Sequence, residues 1–150
     1  MSEDSMSEQK QGLVPKLRFP EFREAGEWKS ALVQGLVSTV TPPKKLTSDL
    51  YESEGRFPVI DQSQAYICGW TNDEDALVSV DSPLIIFGDH TCVLKIVDQS
   101  FVQGADGIKI LKSNKLISPL FLYQYLLCFP VSMESYKRHF STLKEKLVLY

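Results

Sequence analysis

The sequence has few residues from which a metal site or a disulfide framework could be built. Its 150 residues include three cysteines and two histidines. Cys68, Cys92 and Cys128 lie far apart, without a CxxC pair or a histidine at metal-ligand spacing, so we expect no metal site. An odd number of cysteines in a chain of this size indicates free thiols and a reducing, cytoplasmic compartment.

Long hydrophobic runs are also missing. The longest apolar stretch, residues 120–129, is about half of the roughly 20 residues that a membrane span requires. Residues 1–12 are polar and lack the apolar segment of a secretory signal. We therefore expect a cytoplasmic protein without a membrane partner, and a disordered tail over residues 1–12.

Familiar catalytic motifs are absent from the chain. It contains no GxSxG, Walker A, GxGxxG or HExxH sequence, and its acidic residues are scattered. We predict no catalytic residues and no cofactor. A small enzyme that uses His90 or Cys92 stays open as an alternative, because the geometry of a nucleophilic pair defines such a site.

Positive charge is scarce in most of the chain. The net charge is −3 and the pI is near 5.4, which argues against a dedicated nucleic-acid binder. Residues 1–106 hold 9 Lys and Arg against 17 Asp and Glu, a net charge of −8, whereas residues 107–150 hold 7 against 2, a net charge of +5. The basic residues of the second part are Lys109, Lys112, Lys115, Lys137, Arg138, Lys144 and Lys146. They form either a solvated surface or a docking face for an acidic partner or a phosphate backbone.

The chain does contain an ordinary globular composition, with 43% hydrophobic and 11% aromatic residues. This composition and length predict a single domain over residues 13–150. Leu17, Phe19 and Phe22 lie in a proline-rich segment and are expected to hold it on the domain. Apolar residues at positions 28, 32 and 36 predict a short helix before Pro42, and residues 44–55 predict a polar loop.

Short β-rich runs fill the middle of the chain, and helical patterns fill its end. The predicted strands are 57–61, 65–68, 76–80, 84–87, 92–97, 101–103, 108–111 and 147–150. Ser118 and Pro119 are a typical N-cap pair for a helix over 120–129. A second helix is predicted over 133–140, and a capping box at 142–145 predicts one further turn. The expected fold class is α+β, with a twisted, partly closed β-sheet and a few helices packed at the two ends.

Polar residues cluster at three turns of the β region, at 61–64, 88–91 and 103–107. Side chains on such loops can contact base edges and phosphates. The same residues are also common turn formers. Each cluster therefore has a structural and a functional interpretation.

Several motifs, taken in order, resemble the specificity (S) subunit of type I restriction-modification systems. They are PKLRFPEF at 15–22 followed by Trp28, FPVIDQS at 57–63, ICGW at 67–70, IIFGDHT at 85–91 followed by Lys95, FVQGADGIK at 101–109, and YKRHF at 136–140 followed by Leu143 and Lys144. The resemblance covers roughly residues 13–150. Cys92 departs from it, because many relatives have a basic residue there.

The resemblance implies a single target recognition domain, residues 13–150, that reads one half-site of double-stranded DNA and ends before the spacer helix. It implies a non-catalytic module that directs the methylation (M) and restriction (R) subunits, which carry the chemistry. The alternative is a truncated S-like interaction module that binds a methylation subunit or itself through residues 116–150.

The expected DNA-binding residues are of two kinds. Polar side chains at the turns would contact base edges, and these are Gln62, Ser63, Gln64, His90 and Thr91. Flanking cations would contact phosphates, and these are Lys44, Lys45, Arg56 and Lys95. We further expect Asp89 to orient His90 or to cap its turn, because phosphates repel a carboxylate.

Overall fold

Ten short strands and two α-helices make up the computed structural model, which describes Val14 and residues 16–150. The strands are β1 (Ser30–Leu32), β2 (Val37–Val40), β3 (Phe57–Ile60), β4 (Gly69–Thr71), β5 (Leu77–Val78), β6 (Leu84–Gly88), β7 (Leu94–Val97), β8 (Phe101–Gln103), β9 (Ile108–Ser113) and β10 (Leu147–Leu149). The helices are α1 (Pro119–Cys128) and α2 (Phe140–Lys144), and single 3-10 turns cover Pro20–Phe22, Val33–Gly35, Ser48–Leu50 and Glu74–Ala76.

The strands form three sheets, so the predicted α+β class is confirmed, whereas the prediction of one partly closed sheet is corrected. β1 and β10 pair as a two-stranded antiparallel sheet. A central antiparallel sheet has the order β2-β9-β6-β7. A mixed sheet has the order β4-β3-β8-β5, with β3 and β8 parallel. In the described part of the chain each sheet is open, since no order returns to its first strand.

Strand β6 connects two hydrophobic cores because alternate side chains of a strand point to opposite faces. Ile85 and Phe87 belong to a core that α1 covers with Leu122 and Leu126. Ile86 and its even-numbered neighbour Leu84 belong to the second core, which continues to Phe101 of the mixed sheet. All five residues of β6 are buried. The end of β6 is therefore a rigid support for the turn that follows it.

The helix predicted from positions 28, 32 and 36 is wrong. The structure has β1, a 3-10 turn over Val33–Gly35 and β2 in this region. Val33 and Leu36 are fully buried at a spacing of three, which a 3-10 turn satisfies as well as a helix. The two strands pair with β10 and β9, far along the chain, and a local pattern contains no information about such partners.

The C-terminal part confirms one helix and corrects two. α1 occupies the predicted position with Pro119 in its first turn, although the Ser118 side chain makes no capping bond. The helix predicted over 133–140 is wrong. The further turn predicted at 142–145 is present as α2, but Thr142 lies inside it and is not its N-cap. α2 begins at Phe140, because the carboxylate of Asp89 accepts the backbone N–H groups of both His139 and Phe140.

The predicted strands agree with the structure except at one place. Residues 65–68 are not a strand, and β4 follows directly after them. Leu17, Phe19 and Phe22 are 92%, 73% and 55% exposed, so the prediction that they hold their segment on the domain is wrong. Residues 1–12, predicted as a disordered tail, lie outside the described residues. Within those described, no helix has the length and hydropathy to cross a membrane.

Candidate nucleic-acid interface

The three polar turns predicted from the sequence meet at one end of the central sheet. The Gln62 side-chain oxygen accepts the backbone N–H of His90 at 3.1 Å, and the Thr91 hydroxyl donates to the Gln62 carbonyl at 2.9 Å. The backbone N–H of Asp89 donates to the carbonyl of Gly107 at 2.7 Å. Gln62, His90 and Thr91 are therefore brought together, as parts of one hydrogen-bonded surface.

Two glycines allow the turns to approach this closely. A Cβ on Gly107 would lie 2.3 Å from the Gln62 side-chain nitrogen, and the φ of Gly107 is +94°, which disfavours other residues. A Cβ on Gly88 would lie 2.3 Å from the Thr91 hydroxyl oxygen. The GDHT and ADG sequences are thus needed for packing of the turns, whatever the turns bind.

Lys95 was expected to contact phosphates from the surface, but it lies buried beneath the turn of residues 61–65. Its side chain is buried, with the residue only 4% exposed. The Lys95 ammonium donates to the carbonyls of Asp61 at 2.8 Å and Ala65 at 2.6 Å. Burial lowers the pKa of Lys95, and the nearby Asp61 carboxylate opposes that shift. In the structure Lys95 holds the turn of residues 61–65 and does not face solvent.

Asp61 completes the support of that turn. Its carboxylate accepts the backbone N–H of Ser63 at 2.8 Å and the hydroxyl of Tyr51 at 3.2 Å. Burial favours the neutral acid, but hydrogen bonds from Ser63 and other neighbours outweigh burial, and the pKa of Asp61 is lowered. The adjacent Cys68 has its pKa raised to about 11, mainly by burial. Its thiol is therefore protonated at neutral pH and unsuited to nucleophilic chemistry.

The tip of the turn is the exposed part. Ser63 and Gln64 are both exposed. Gln64 borders a polar groove of about 470 Å³, which Tyr66, Thr91 and Tyr123 also line. The Tyr66 hydroxyl donates to the carbonyl of Ile96 at 2.8 Å, so this ring is fixed at the edge of the groove.

His90 stacks on Tyr136, a residue that the sequence analysis did not include among the site residues. The ring centroids are 4.9 Å apart and the planes differ by 14°. Tyr136 is 83% exposed, so the stack lies at the surface. The Nδ1 atom of His90 is enclosed and has no hydrogen-bond partner among the described residues.

A buried pair, Asp89 and His139, connects the GDHT turn to the C-terminal segment. One carboxylate oxygen of Asp89 accepts the backbone N–H of His139 at 3.0 Å and that of Phe140 at 2.8 Å. The Nδ1 atom of His139 lies 3.1 Å from the Asp89 carbonyl oxygen. Asp89 therefore caps α2. The hydrogen bonds of its side chain go neither to the ring of His90 nor to its own turn, which were the two expected roles.

The other predicted cations are engaged with carboxylates. Lys44 contacts Asp73 at 2.6 Å and Lys45 contacts Asp106 at 2.9 Å. Arg56 forms an ion pair with Glu74. The lysines lower the pKa values of Asp73 and Asp106, chiefly through these hydrogen bonds. Lys44, Lys45, Arg56 and Lys95 thus do not form one face of unpaired positive charge.

Cations without a carboxylate partner lie near the Phe140 ring. The ammonium groups of Lys109 and Lys144 lie 5.5 and 5.3 Å from the centroid of that ring. Phe140 also donates its backbone N–H to the carboxylate of Asp89, the residue before His90. Lys109, Lys144 and Arg138 have no carboxylate partner among the described residues.

The structure offers little support for metal or thiol chemistry at this surface. No group of three or more His, Cys, Asp or Glu side chains is arranged to hold a metal ion in the described part of the chain. Cys92 lies in the turn at φ +57°, and burial raises the pKa of its thiol. A thiolate nucleophile needs the opposite shift.

Two solved structures have a similar fold. The S subunit of the type I restriction-modification system of M. genitalium aligns with a TM-score of 0.66 and 18% identity, over 92% of this chain and 37% of that chain. The HsdS subunit of Thermoanaerobacter tengcongensis aligns with a TM-score of 0.51 and 12% identity, over 91% of this chain and 35% of that chain. No family model matches the sequence, and no curated protein matches it.

The chain therefore has the fold found in type I S subunits, in agreement with the resemblance of its motifs. At 18% and 12% identity the likeness concerns the fold alone. The chain spans a little more than a third of the length of each S subunit.

Proposed function

We propose that this chain is a target recognition domain that binds double-stranded DNA and directs the methylation and restriction subunits of a type I system to one half-site. In this proposal the domain carries no catalytic residue and no cofactor. The methylation and restriction subunits are its protein partners, and the cell's cytoplasm is its compartment.

The observation that carries the proposal is the convergence of three polar turns beside unpaired cations, on a fold shared with S subunits. Sequence reading needs hydrogen-bonding side chains held on a stiff support, and phosphate binding needs cations nearby. Gln62, Ser63, Gln64, His90 and Thr91 are the proposed contacts to bases. Lys44, Lys45 and Arg56 can reach phosphates only by exchanging their carboxylate partners, and Lys95 is enclosed.

The test is binding of a fluorescein-labelled duplex pool with a randomised centre, followed by anisotropy. The logarithm of the affinity should fall linearly with the logarithm of salt concentration, by about 0.9 for each phosphate neutralised. Repeated selection of bound duplexes should enrich one short sequence. A chain that fails to bind the pool at about 50 mM salt, or binds it without salt dependence, would contradict the proposal.

A second candidate function, docking of a protein partner, is favoured by an apolar groove along residues 17–29. The groove holds about 690 Å³, and Phe19, Phe22, Trp28 and Leu116 contribute to its walls. The ring of Phe121 stacks near Trp28 with centroids 6.3 Å apart. The outer face of α1 adds Leu120, Phe121 and Leu127, which are 56%, 38% and 45% exposed. Contiguous exposed apolar surface of this kind commonly marks an interface.

Light scattering of the purified chain and co-purification with a methylation subunit test this second function. The double variant Leu120→Gln, Leu127→Gln should abolish either association without changing DNA affinity, because α1 buries Leu122 and Leu126 on its other side. Gln124→Ala, on the same outer face, is the matched control. A monomer that binds no methylation subunit would exclude the docking function.

A further inference from the structure

We propose that the stacked pair His90–Tyr136, together with the basic side chains beside it, is the principal DNA-contacting surface of this chain. The basic side chains are those of Lys109 and Lys144, which lie at the Phe140 ring, and of Arg138, two positions after Tyr136. The backbone N–H of Phe140 binds Asp89, which precedes His90. The proposal rests on the proposed function and specifies which surface carries it.

The stack presents hydrogen-bond donors to solvent. His90 Nδ1 is enclosed without a partner among the described residues, so Nε2 is the ring nitrogen left for contact with a ligand. Tyr136 adds a hydroxyl on a ring that is 83% exposed. Phosphate oxygens and the acceptor atoms of guanine in the major groove are suitable partners for such donors.

Tyr136 is held at this position by contacts at both ends of its loop. The backbone N–H of Glu134 donates to His139 Nε2 at 3.3 Å, and His139 Nδ1 lies against the Asp89 carbonyl at 3.1 Å. His139 is 1% exposed, so its ring is fixed within the protein. Asp89 and His139 are thus positioning residues, and they place Tyr136 over the turn that carries His90.

The three proposed cations can bind phosphates without first losing a carboxylate partner. One carboxylate oxygen of Asp89 already accepts two backbone N–H groups. The carboxylate of Glu134 is already paired with Lys137. Phosphates approaching Lys109, Arg138 and Lys144 therefore need not displace a bound carboxylate. Lys44, Lys45 and Arg56 would require that displacement at each contact.

The first experiment compares two triple variants of equal charge on the randomised duplex pool. Lys109→Gln, Arg138→Gln, Lys144→Gln should reduce the salt slope by 2 to 3, at about 0.9 per phosphate contact, and should weaken binding roughly 100-fold at about 0.1 M salt. Lys44→Gln, Lys45→Gln, Arg56→Gln should reduce the slope by less than about 1.

The outcomes separate this inference from the function on which it rests. Equal losses in the two triple variants, or a larger loss in the second, would overturn the inference and leave DNA binding intact. If the unmodified chain does not bind the duplex pool, the proposed function itself fails and the inference fails with it.

The second experiment tests the stack and its positioning residues. Tyr136→Ala should weaken duplex binding about tenfold with unchanged stability, since the ring is exposed. NMR should show the His90 ring protons shifted upfield by the Tyr136 ring, and Tyr136→Ala should remove this shift. Asp89→Ala should remove the shift and lower the affinity together. Asp89→Asn, which keeps an oxygen acceptor, should retain both.

The NMR shift of the His90 ring protons distinguishes a positioning role of Asp89 from a merely stabilising one. If Asp89→Ala lowers the affinity while the His90 shift stays unchanged, Asp89 does not act through the stack. If Tyr136→Ala binds the pool as tightly as the unmodified chain, the stack is not a contact. If Asp89→Ala fails to fold, Tyr136→Ala still tests whether the stack is a contact, because the exposed ring of Tyr136 can be removed without losing a buried contact. Asp89→Asn then tests the positioning role, and loss of the His90 shift and of affinity in this variant would overturn that role.

Discussion

Two groups of cations have different neighbours. In residues 1–106, Lys44, Lys45 and Arg56 each contact a carboxylate, and Lys95 is enclosed beneath a turn. In residues 107–150, Lys109, Arg138 and Lys144 have no such partner among the described residues, and Lys109 and Lys144 lie at the Phe140 ring. The number of basic residues in a segment therefore does not determine how many of them can bind a phosphate. The carboxylates beside each cation determine that number.

The largest expected effect concerns stability and the enclosed lysine. Lys95→Met keeps the apolar stem but removes two charge-assisted hydrogen bonds to the turn of residues 61–65. Bonds of this type contribute about 1.5–3 kcal/mol, so the free energy of unfolding should fall by about 2–3 kcal/mol. Lys44→Met breaks an exposed pair and should cost much less than Lys95→Met, because solvent screens exposed charges. Urea unfolding compares the two, and equal losses would show that burial does not distinguish these lysines.

The next effect tests whether the paired carboxylates prevent Lys44, Lys45 and Arg56 from binding phosphates. The triple variant Asp73→Asn, Glu74→Gln, Asp106→Asn releases Lys44, Lys45 and Arg56 from their partners. Duplex affinity should rise by about tenfold and the salt slope should become steeper by about 2. Anisotropy with the randomised pool measures both. Asp49→Asn, an exposed acid outside these pairs, is a control and should change neither.

A smaller effect is expected within a single strand. Lys109 and Lys112 both lie on β9, but Lys112 contacts Asp81 at 3.6 Å while Lys109 lies near the Phe140 ring. Lys109→Gln should reduce the salt slope by about 1 and the affinity about threefold to tenfold. Lys112→Gln should change the affinity by less than twofold. A reversed order would locate the DNA on the other side of the central sheet.

The smallest effect is the pH dependence of the exposed pairs. Lys44 and Lys45 lower the folded-state pKa values of Asp73 and Asp106. Each pair therefore stabilises the protein above the unfolded pKa of about 3.9, and the contribution is lost as the pH falls through the folded value. The double variant Lys44→Met, Lys45→Met should differ from the unmodified chain by the same amount at pH 7 and pH 5. The difference should shrink as the pH falls below the unfolded pKa, as measured by urea unfolding.

Local patterns predicted the parts of the fold that depend on local contacts. The strand at 101–103 and the helix starting at Pro119 were both predicted, because each begins and ends at turn residues or a proline. β1 and β2 were missed, since each exists through pairing with a strand more than 70 residues away. The helix predicted over 133–140 is wrong, because the residue that sets the start of α2 is Asp89, in a distant turn. A local pattern contains no information about that contact.

The site was predicted in part for the same reason. Gln62, His90 and Thr91 were identified because polar residues at turns are visible in the sequence, and the structure joins them. The partners of Lys44 and Lys45, namely Asp73 and Asp106, lie 29 and 61 positions away, so their ion pairs were not visible. Tyr136 lies in the YKRHF motif, but its contact with His90 depends on the buried His139, and no spacing in the sequence indicates that burial.

The pairing of β1 with β10 has a consequence for synthesis of the chain. Leu32 pairs with Leu147 and Ser30 with Leu149, so the strand near one end waits for the strand near the other. Val33 and Leu36 share a core with Val148. Contacts that close such long loops form late, because the entropy of loop closure is lost before the contact stabilises the chain. A nascent chain on the ribosome would therefore keep this core open until residue 149 has emerged.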